Sequence, residues 1–325
     1  MKKAFSYLVI ILFIFSCSKN DEIDENDIID LLITNISIEN IILDYELKEI
    51  DFVDNNFGFA IDTQGKILKT DNAGLNWTLL FSSSFDLIDI QFQNKNSGFV
   101  LGKIGNEFSL LKTLDGGITF KQTRIQGGND LTKVFFINSN LGFVLGNHVL
   151  KTQNSGNSWT EIDLGFNIYS DIVKTDNEEI YLSGLNGTLL KSVNYGNSWE
   201  LKNLNSESHI YEILPFENIF YLIGQGVIKT DFNVTTEFQI PFNIKTHIFD
   251  ETTLIGFGES YHSQNFFPNG AISISNNSGK NWEITIFTEY NRIYAIDFID
   301  SKYGFALADN IVKGKTYLMK IKIEK

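Results

Sequence analysis

The sequence predicts an all-β protein made of short repeated strands, and three observations support this. Only seven of the 325 residues are Ala while 28 are Phe, and Ile, Thr, Asn and Gly are abundant, a composition that favours strands and turns over helices. A pattern of apolar segments recurs about every forty residues along the chain. All four Trp occupy the same place in that pattern. Internal repetition at this period is typical of a ring or array of identical small units.

The most regular segment of the repeat is an apolar pair followed by Lys and a hydroxyl residue. It occurs at 67–70, 110–113, 149–152, 189–192 and 227–230, loses the Lys at 272–275, and recurs at 318–321 with Ile in place of the hydroxyl residue. A second apolar segment precedes each copy, most clearly as Gly-Phe-Ala or Gly-Phe-Val at 58–60, 98–100, 142–144 and 304–306. A third lies further upstream, with equivalent apolar positions at Ile50, Ile90, Val134, Ile172, Ile213, Ile248 and Ile296.

A turn motif follows the hydroxyl residue in five of the repeats. Its acid or amide, glycine and aromatic positions are Asn72, Gly74 and Trp77; Asp115, Gly117 and Phe120; Asn154, Gly156 and Trp159; Asn194, Gly196 and Trp199; and Asn277, Gly279 and Trp282. We expect the Asp or Asn oxygen to accept a backbone N–H two residues on, the glycine to adopt positive φ, and the aromatic ring to cover the hairpin. Only one copy keeps an acid, so we interpret these turns as structural and not as calcium sites.

Four short strands in forty residues are the signature of a β-propeller blade, and seven copies of the first strand predict seven blades. The seventh repeat ends at residue 325, after its third strand. Residues 33–38 alternate apolar and polar side chains before the first blade and can supply the missing strand. Residues 33–325 are therefore predicted to form one seven-bladed propeller whose ring is closed by an N-terminal strand, which also hides a sheet edge.

The N-terminus reads as an export signal. Lys2 and Lys3 precede an apolar run at 4–15, too short to span a bilayer, and the chain's only Cys follows as Cys17. This resembles the bacterial lipoprotein signal, which implies a signal peptide at 1–16, a lipidated Cys17 and an acidic tether at 17–32. The acidic run is similar to the surface-export signal of Bacteroidota lipoproteins. An ordinary signal peptide with a coincidental Cys is the alternative. The expected location is the bacterial cell envelope, as an outer-membrane lipoprotein on either side of that membrane.

Composition excludes several classes of function. The formal charge is −14 and only two Arg are present, Arg124 and Arg292, which argues against nucleic-acid binding. One Cys excludes a disulfide framework and Cys-based zinc sites, and the four His show no short ligand spacing. No glycine loop has the spacing that cradles phosphate. The sequence therefore predicts no metal and no cofactor.

Polar residues next to the fixed apolar position of each first strand form a candidate binding ring. In a propeller the first strand of each blade lines the central channel, so these residues would meet near its opening. The seven positions, six of which hold ionisable residues, are Glu49, Asp89, Lys133, Asp171, Glu212, His247 and Ala295. The alternative is that these positions are exposed to solvent and tolerate charge for that reason.

The longest insertion, at 258–270 in the sixth repeat, is expected on the same face of the ring. It contributes four further candidate contact residues for a partner or a sugar: Tyr261, His262, Phe266 and Phe267. A loop folded against its own blade is an equally good interpretation. Arg292 precedes the first strand of the seventh repeat and could face this loop.

The turn motif resembles the Asp-box of sialidase-type repeats, Ser/Thr-x-Asp-x-Gly-x-Thr-Trp. Together with Gly-Phe-(Ala/Val) and apolar-apolar-Lys-Thr, it is similar to the photosystem II stability/assembly-factor-like group of these propellers over about residues 47–321. That resemblance implies an assembly or interaction scaffold without catalysis. Sialidase activity is excluded because two Arg cannot provide the Arg triad that clamps the substrate carboxylate.

Three hypotheses of function remain at this stage. The first is a lipid-anchored, non-catalytic binding or assembly-scaffold propeller that recognises a protein partner through the loop face at the channel. The second is a surface glycan-active enzyme or glycan-binding protein, because Asp89 with Asp171, or Glu49 with Glu212, could supply the two carboxylates of a glycosidase. The third is a purely structural component of the envelope.

Overall fold

A computed structural model describes residues 35–127, 129–165, 167–241, 244–261 and 267–324. The predicted signal peptide, Cys17 and the whole predicted tether lie outside these residues. The described chain contains β-strands, turns and bends, and its strands form seven four-stranded antiparallel sheets. The prediction of an all-β, seven-bladed propeller of four-stranded blades is confirmed.

The strands of the first four blades follow the chain after β1 (Asn35–Leu43), from the inside of the ring outward. Blade 1 contains β2 (Leu47–Phe52), β3 (Gly58–Asp62), β4 (Lys66–Thr70) and β5 (Thr78–Ser82). Blade 2 contains β6 (Asp86–Phe92), β7 (Gly98–Ile104), β8 (Glu107–Thr113) and β9 (Lys121–Arg124). Blade 3 contains β10 (Lys133–Phe136), β11 (Gly142–Leu145), β12 (Val149–Thr152) and β13 (Thr160–Ile162). Blade 4 contains β14 (Tyr169–Lys174), β15 (Ile180–Gly184), β16 (Leu189–Ser192) and β17 (Glu200–Leu201).

The last three blades continue in the same way. Blade 5 contains β18 (Ile210–Phe216), β19 (Ile219–Gly224), β20 (Gly226–Thr230) and β21 (Thr235–Gln239). Blade 6 contains β22 (Ile244–Ile248), β23 (Leu254–Ser260), β24 (Asn269–Ser275) and β25 (Glu283–Phe287). Blade 7 contains β26 (Arg292–Phe298), β27 (Tyr303–Asn310) and β28 (Lys315–Glu324), with β1 as its outer strand.

The ring is closed by the N-terminal strand, as predicted. β1 pairs antiparallel with β28 over its whole length, from Asn35 opposite Glu324 to Leu43 opposite Thr316. The observed strand extends five residues beyond the predicted segment 33–38, and residues 33 and 34 lie outside the described residues. The sheet of blade 7 therefore contains both ends of the described chain. Its hydrogen bonds hold β1, which leads into blade 1, to the C-terminal strand β28.

The Gly-Phe pair of the repeat is explained by contacts between phenyl rings. A Cβ atom on Gly98 would lie 2.4 Å from the ring of Phe92, which ends the inner strand of the same blade. Phe92 in turn stacks on Phe59 of the preceding blade, with ring centroids 3.4 Å apart. The glycine makes room for one ring, and the Phe after it packs against the next blade. The same inner Phe and Gly occur together in four blades, as Phe52 with Gly58, Phe92 with Gly98, Phe136 with Gly142, and Phe298 with Gly304.

The five turn motifs share one hydrogen-bonding pattern, which differs in detail from the prediction. The Oδ1 atom of Asn72 accepts the backbone N–H of Asn76, four residues on, and the hydroxyl of Thr70 accepts the N–H of Gly74 at 2.9 Å. The span is four residues because the hydroxyl residue closes the inner part of the turn. Equivalent bonds reach the amide or acid from the residue four positions later in the other turns, at Asp115, Asn154, Asn194 and Asn277.

These turns also bind neighbouring blades together. A Cβ on Gly156 would lie 2.2 Å from Leu110 of the preceding blade. The ring of Trp159 packs edge-on, at 6.1 Å, to Phe136 of its own blade, and Phe136 stacks on Phe99 of the preceding blade. In two blades the repeated Lys reaches the turn of the following blade: Lys151 Nζ donates to Asn197 Oδ1 at 2.8 Å, and Lys229 Nζ donates to Ser278 Oγ at 2.9 Å. The motif is therefore an inter-blade joint, consistent with its interpretation as structural.

Candidate binding face at the channel mouth

All seven inner strands run in the same direction, so their first residues meet on one face of the ring. This face, called the mouth face here, carries the loops between blades, such as 44–46, and the loops between second and third strands, such as 105–106. The opposite face, called the box face, carries the turn motifs, such as 71–77. Residue 35 begins β1 on the box face, because β1 leads to β2 through the inter-blade loop of the mouth face.

The structure brings five of the predicted ring residues together around the channel. Each of these five residues is paired with the equivalent position of its second strand: Glu49 with Ile61, Asp89 with Leu101, Lys133 with Leu145, Asp171 with Ser183 and Glu212 with Ile223. Ala295, paired with Leu307, occupies the seventh position, is buried and contributes no charge.

The assignment of His247 to this ring is wrong, and the residue at that position is Lys245. In blade 6 the register pairs Lys245 with Phe257, the fourth residue of β23, whereas His247 lies opposite Ile255. Because side chains alternate along a strand, His247 still points to the same side but lies one step deeper. In blade 6 the polar Thr246 occupies the place of the fixed apolar residue, so the apolar pattern matched Ile248 and the prediction was shifted by two residues.

The ring carboxylates bind the inner strand of the following blade. Asp89 Oδ2 accepts the N–H of Val134 at 2.7 Å, and Asp171 Oδ2 accepts that of Ile213 at 2.8 Å. Glu212 Oε2 accepts the N–H of Thr246 at 3.1 Å. Inner strands are sheet edges with unpaired N–H groups, so an acceptor from the neighbouring blade satisfies a donor that the sheet cannot.

Lys133 lies among these acids and forms an ion pair of 2.5 Å with Asp171 Oδ1. Burial alone would lower the pKa of Lys133, but the carboxylates of Asp171 and Asp89 raise it well above its usual range. With one oxygen bonded to Lys133 and the other to Ile213, the buried Asp171 has both oxygens occupied by protein partners.

The surroundings raise the pKa of the remaining acids of the ring. Burial, with the nearby Asp89 carboxylate, raises the pKa of Glu49 to about 7. Burial also raises the pKa of Asp89 and of Glu212, and the Lys133 and Lys245 ammonium groups oppose part of this. The channel therefore takes up protons near neutral pH more readily than free carboxylates do.

A second layer of acids, deeper in the channel, was missed by the sequence analysis. Asp51 accepts the backbone N–H of Phe92, and Asp297 accepts that of Phe52. Burial raises the pKa of both carboxyls, that of Asp297 to about 6, and the Asp297 carboxylate adds to the effect on Asp51. Their signal in the sequence was an acid two residues after the ring position.

His247 belongs to this deeper layer, and its side chain contacts blade 7. Its ring stacks on Phe298 with centroids 3.6 Å apart, and its Nε2 atom lies 2.9 Å from the carbonyl oxygen of Ser301. Burial lowers the pKa of His247 to about 4, so the ring is neutral at pH 7. The contacts make this residue part of the joint between blades 6 and 7.

Five inner strands carry a β-bulge at the mouth, which places one extra residue there. The bulged residues are Lys48, Ile88, Ser170, Tyr211 and Tyr294. A bulge puts two consecutive side chains opposite one partner residue and re-aims them. These side chains were not predicted, because a single inserted residue leaves no periodic trace in the sequence.

Two cavities open on the mouth face beside the channel and share Arg292 and Tyr294. One of about 460 Å³ lies between blades 5, 6 and 7, and the other, of about 580 Å³, lies between blades 7, 1 and 2. Arg292 Nε donates to Asp309 Oδ2 at 2.7 Å, and its guanidinium carbon lies 4.9 Å from the centroid of the Tyr294 ring. Both cavities are thus bounded by a cation held on an aromatic ring.

The loop between β23 and β24 also lies on the mouth face. Tyr261 is 75% exposed and Phe267 is 42% exposed, while His262 and Phe266 lie outside the described residues. The Tyr261 hydroxyl donates to Glu259 Oε1 at 3.0 Å, and this bond raises the pKa of Tyr261. The positive charge of the nearby Arg292 opposes part of that rise. Asn291 donates to the carbonyl of Pro268 at 3.0 Å, which ties this loop to blade 7.

In the part of the chain that the structure describes, no three His, Cys, Asp or Glu side chains are grouped as metal ligands would be. Nor do those residues include a helix long and apolar enough to cross a membrane.

Comparisons with known proteins agree with this architecture. Residues 79–168 match the family model described as "Photosynthesis system II assembly factor YCF48", which confirms the predicted resemblance over that segment. A solved structure described as "YCF48 bound to D1 peptide" superposes with a TM-score of 0.67 at 15% identity, covering 88% of this chain and 97% of that one. YCF48 from Cyanidioschyzon merolae gives a TM-score of 0.65 at 16% identity, covering 88% and 98%.

A propeller enzyme is also similar in fold. The GH74 enzyme of Niastella koreensis gives a TM-score of 0.61 at 15% identity, covering 82% of this chain and 51% of that one. No curated protein sequence matches the chain significantly. At sequence identities this low, the structural similarity shows a shared fold alone.

Proposed function

We propose that this protein is a non-catalytic binding propeller of an assembly-factor type, which recognises a protein partner through its mouth face. The observation that carries the proposal is the concentration of exposed apolar side chains beside two cavities on blades 5 to 7. Five such side chains are exposed there: Tyr211, Tyr261, Phe267, Ile311 and Val312. Exposed aromatic groups next to concave, charged surfaces are characteristic of protein-binding sites.

The comparisons support a peptide or protein as the ligand class. The matching family model is that of an assembly factor, and a similar propeller has been solved with a peptide bound. The ring acids support a role without catalysis. Asp89, Asp171 and Glu212 each accept a backbone N–H of the next blade, so their geometry is explained by holding the ring together.

The proposal includes a lipid anchor on Cys17 in the envelope of a bacterium. Residue 35 lies on the box face, so a tether that ends there would attach the ring by the face opposite the mouth. The mouth face would then be free for a partner. Labelling with a fatty acid, compared between the native protein and Cys17→Ala, tests the anchor: no label on the native protein would end this part of the proposal.

Crosslinking and pull-down from native membranes tests the binding face. The double variant Tyr261→Ser, Phe267→Ser removes two exposed aromatic rings from the mouth face. The matched control, Leu114→Ser, Ile118→Ser, removes two exposed apolar side chains from the box face, where they are 61% and 81% exposed. We expect the first variant to lose the captured partner and the second to keep it. Equal capture by both variants would refute a role of this loop, and loss by the control alone would move the site to the box face.

A glycan-active or glycan-binding protein is the second candidate, favoured by the similarity to a GH74 propeller. Hydrolysis would require two carboxylates free to act on the substrate, and Asp171 has both oxygens bonded within the protein. Incubation with a panel of oligosaccharides separates the two candidates. Turnover that is abolished by Asp89→Asn or Asp171→Asn would overturn the binding-propeller proposal.

A further inference from the structure

Blade 6 differs from its neighbours at the channel mouth because its inner strand has no bulge. In blade 5 the register skips Tyr211, since Ile210 pairs with Gly224 and Glu212 with Ile223. In blade 7 it skips Tyr294 in the same way. In blade 6, Ile244 and Lys245 pair consecutively with Gly258 and Phe257, so the extra residue is missing. One side chain is therefore absent from the mouth between two tyrosines.

The cavity of about 460 Å³ lies at this gap. Its lining includes Tyr211 and Tyr294 from the flanking blades, with Lys245, Glu212 and Arg292. The position of the cavity follows from the missing residue: each neighbouring blade supplies a bulged aromatic side chain, and blade 6 supplies none to fill the space between them. A volume of this size accepts a group as large as an aromatic side chain with part of its backbone.

Both tyrosines are held in place by contacts outside the cavity. The Tyr294 hydroxyl donates to the carbonyl of Leu47 at 2.5 Å. The ring of Tyr211 lies 4.1 Å from that of His209, whose Nε2 atom is 3.0 Å from Ser170 Oγ. Tyr211 nevertheless remains 49% exposed. Rigid aromatic walls that are already ordered lose little entropy when a second ring packs between them.

The charged groups of the cavity offer more hydrogen-bond donors than acceptors. Lys245 is exposed and forms no ion pair among the described residues, and the Arg292 guanidinium uses only Nε in its bond to Asp309. Each acid of the cavity already gives one oxygen to a protein donor, since Glu212 Oε2 accepts from Thr246 and Glu259 Oε1 accepts from Tyr261. The ammonium and the terminal guanidinium nitrogens are thus available to an anionic acceptor.

We propose that this cavity, the blade-6 pocket, binds an aromatic side chain of the protein partner together with a carboxylate next to it in the partner sequence. The ring packs between Tyr211 and Tyr294, and the carboxylate accepts from Lys245 and Arg292. This inference rests on the proposed function and names the chemistry that the mouth face recognises. A central aromatic anchor in a preformed pocket is the usual source of binding energy in such interfaces.

Two small probes test the pocket directly. N-acetyl-tryptophan carries an aromatic ring and a carboxylate, whereas N-acetyl-tryptophanamide has the ring without the charge. Titration calorimetry and saturation-transfer NMR at low salt should show tighter binding of the acid. Tyr211→Ala should weaken both probes by roughly tenfold, as expected for loss of an aromatic contact. Tyr211→Phe should retain binding, and Arg292→Gln should remove the preference for the acid.

The matched control is Ile104→Ala, an equally exposed mouth-face residue of blade 2, which should leave both affinities unchanged. A displayed random heptapeptide library, selected on the full chain, should yield peptides with an aromatic residue beside Asp or Glu. Failure of both probes to bind would overturn the inference. Selected peptides that lack an aromatic residue beside Asp or Glu would overturn it too. Tight binding of neutral oligosaccharides that competes with the probes would overturn it as well.

The same variants distinguish failure of the pocket from failure of the proposed function. If Tyr211→Ala captures the membrane partner as well as native protein while Tyr261→Ser, Phe267→Ser does not, the mouth face binds the partner without the pocket. If neither variant changes capture, the binding face itself is wrong.

Discussion

At the scale of single residues, most of the repeated sequence motifs are explained by contacts between neighbouring blades. Gly98 is small because the ring of Phe92 occupies the place of a Cβ atom. Where the position equivalent to Phe92 is not Phe, at Lys174 in blade 4 and Pro215 in blade 5, the paired residue is not Gly but Ile180 and Phe220, respectively. The glycine is therefore set by the partner ring and not by a turn.

Replacing Gly98 by Ala tests this explanation. The new methyl group would lie 2.4 Å from Phe92, whose ring cannot retreat because it stacks on Phe59. We expect the free energy of unfolding in urea to fall by about 1–3 kcal/mol, as for other overpacked cores. In the double variant Gly98→Ala, Phe92→Leu the smaller side chain should relieve the clash, so the two losses should not add. Additive losses would show that the ring contact is not the cause.

Buried channel acids make stability depend on pH in a predictable direction. The pKa of Glu49 is raised from 4.5 to about 7 in the folded protein, so between these values the folded state holds more protons than the unfolded state. Stability contributed by this group is therefore present below about pH 4.5 and is lost as the pH rises through 7.

Glu49→Gln should remove that dependence. The unfolding free energy of the variant minus that of the native protein should increase on the order of 1–3 kcal/mol between pH 4.5 and 8. Denaturant titrations at a series of pH values measure this difference, and groups that do not interact with Glu49 cancel in the subtraction. A difference that stays constant or decreases with pH would contradict the raised pKa.

At the scale of strands, the repeat period predicted the number of blades and the closing strand, but not the register of every strand. Most blades carry sequence landmarks, Gly-Phe or a turn glycine, at positions where a contact allows one residue type. In blade 6 the fixed apolar position is held by the polar Thr246, so the apolar pattern matched Ile248 instead and shifted the predicted ring residue from Lys245 to His247. The bulges were not predictable because they depend on three-dimensional pairing and leave the apolar pattern intact.

The repeated Lys of the third strand provides a test at this scale. Lys151 is 8% exposed and donates to Asn197 in the turn of the next blade. Lys151→Met keeps the apolar stem but removes the bond, so we expect a loss of about 1 kcal/mol in unfolding free energy. Lys112→Met is the control, because Lys112 makes no hydrogen bond to any described residue and burial already lowers its pKa. Equal effects of the two substitutions would refute the inter-blade role.

At the scale of the whole molecule, the ring ties chain topology to function. Closure by β1 places the start of the described chain on the box face, while the charged channel and both cavities open on the mouth face. Among the described residues, the main contacts between blades join each blade to its two neighbours, so the ring is a closed series of similar joints. Breaking one joint exposes two blade faces, and the stability of every blade then depends on that closure.

Removal of β1 is the strongest test of this dependence. A chain that begins at residue 44 loses the nine-residue strand that pairs along β28, and the apolar faces of Ile36 and Ile38 that pack on the core beside blade 6. We expect a single cooperative unfolding transition at a melting temperature at least 10 °C lower, roughly the effect of losing several kcal/mol in a domain of this size. A chain that begins at residue 34 is the control and should melt like the full-length protein. If the shorter chain also melts unchanged, the blades are held by their own joints and closure by the N-terminal strand contributes little to stability.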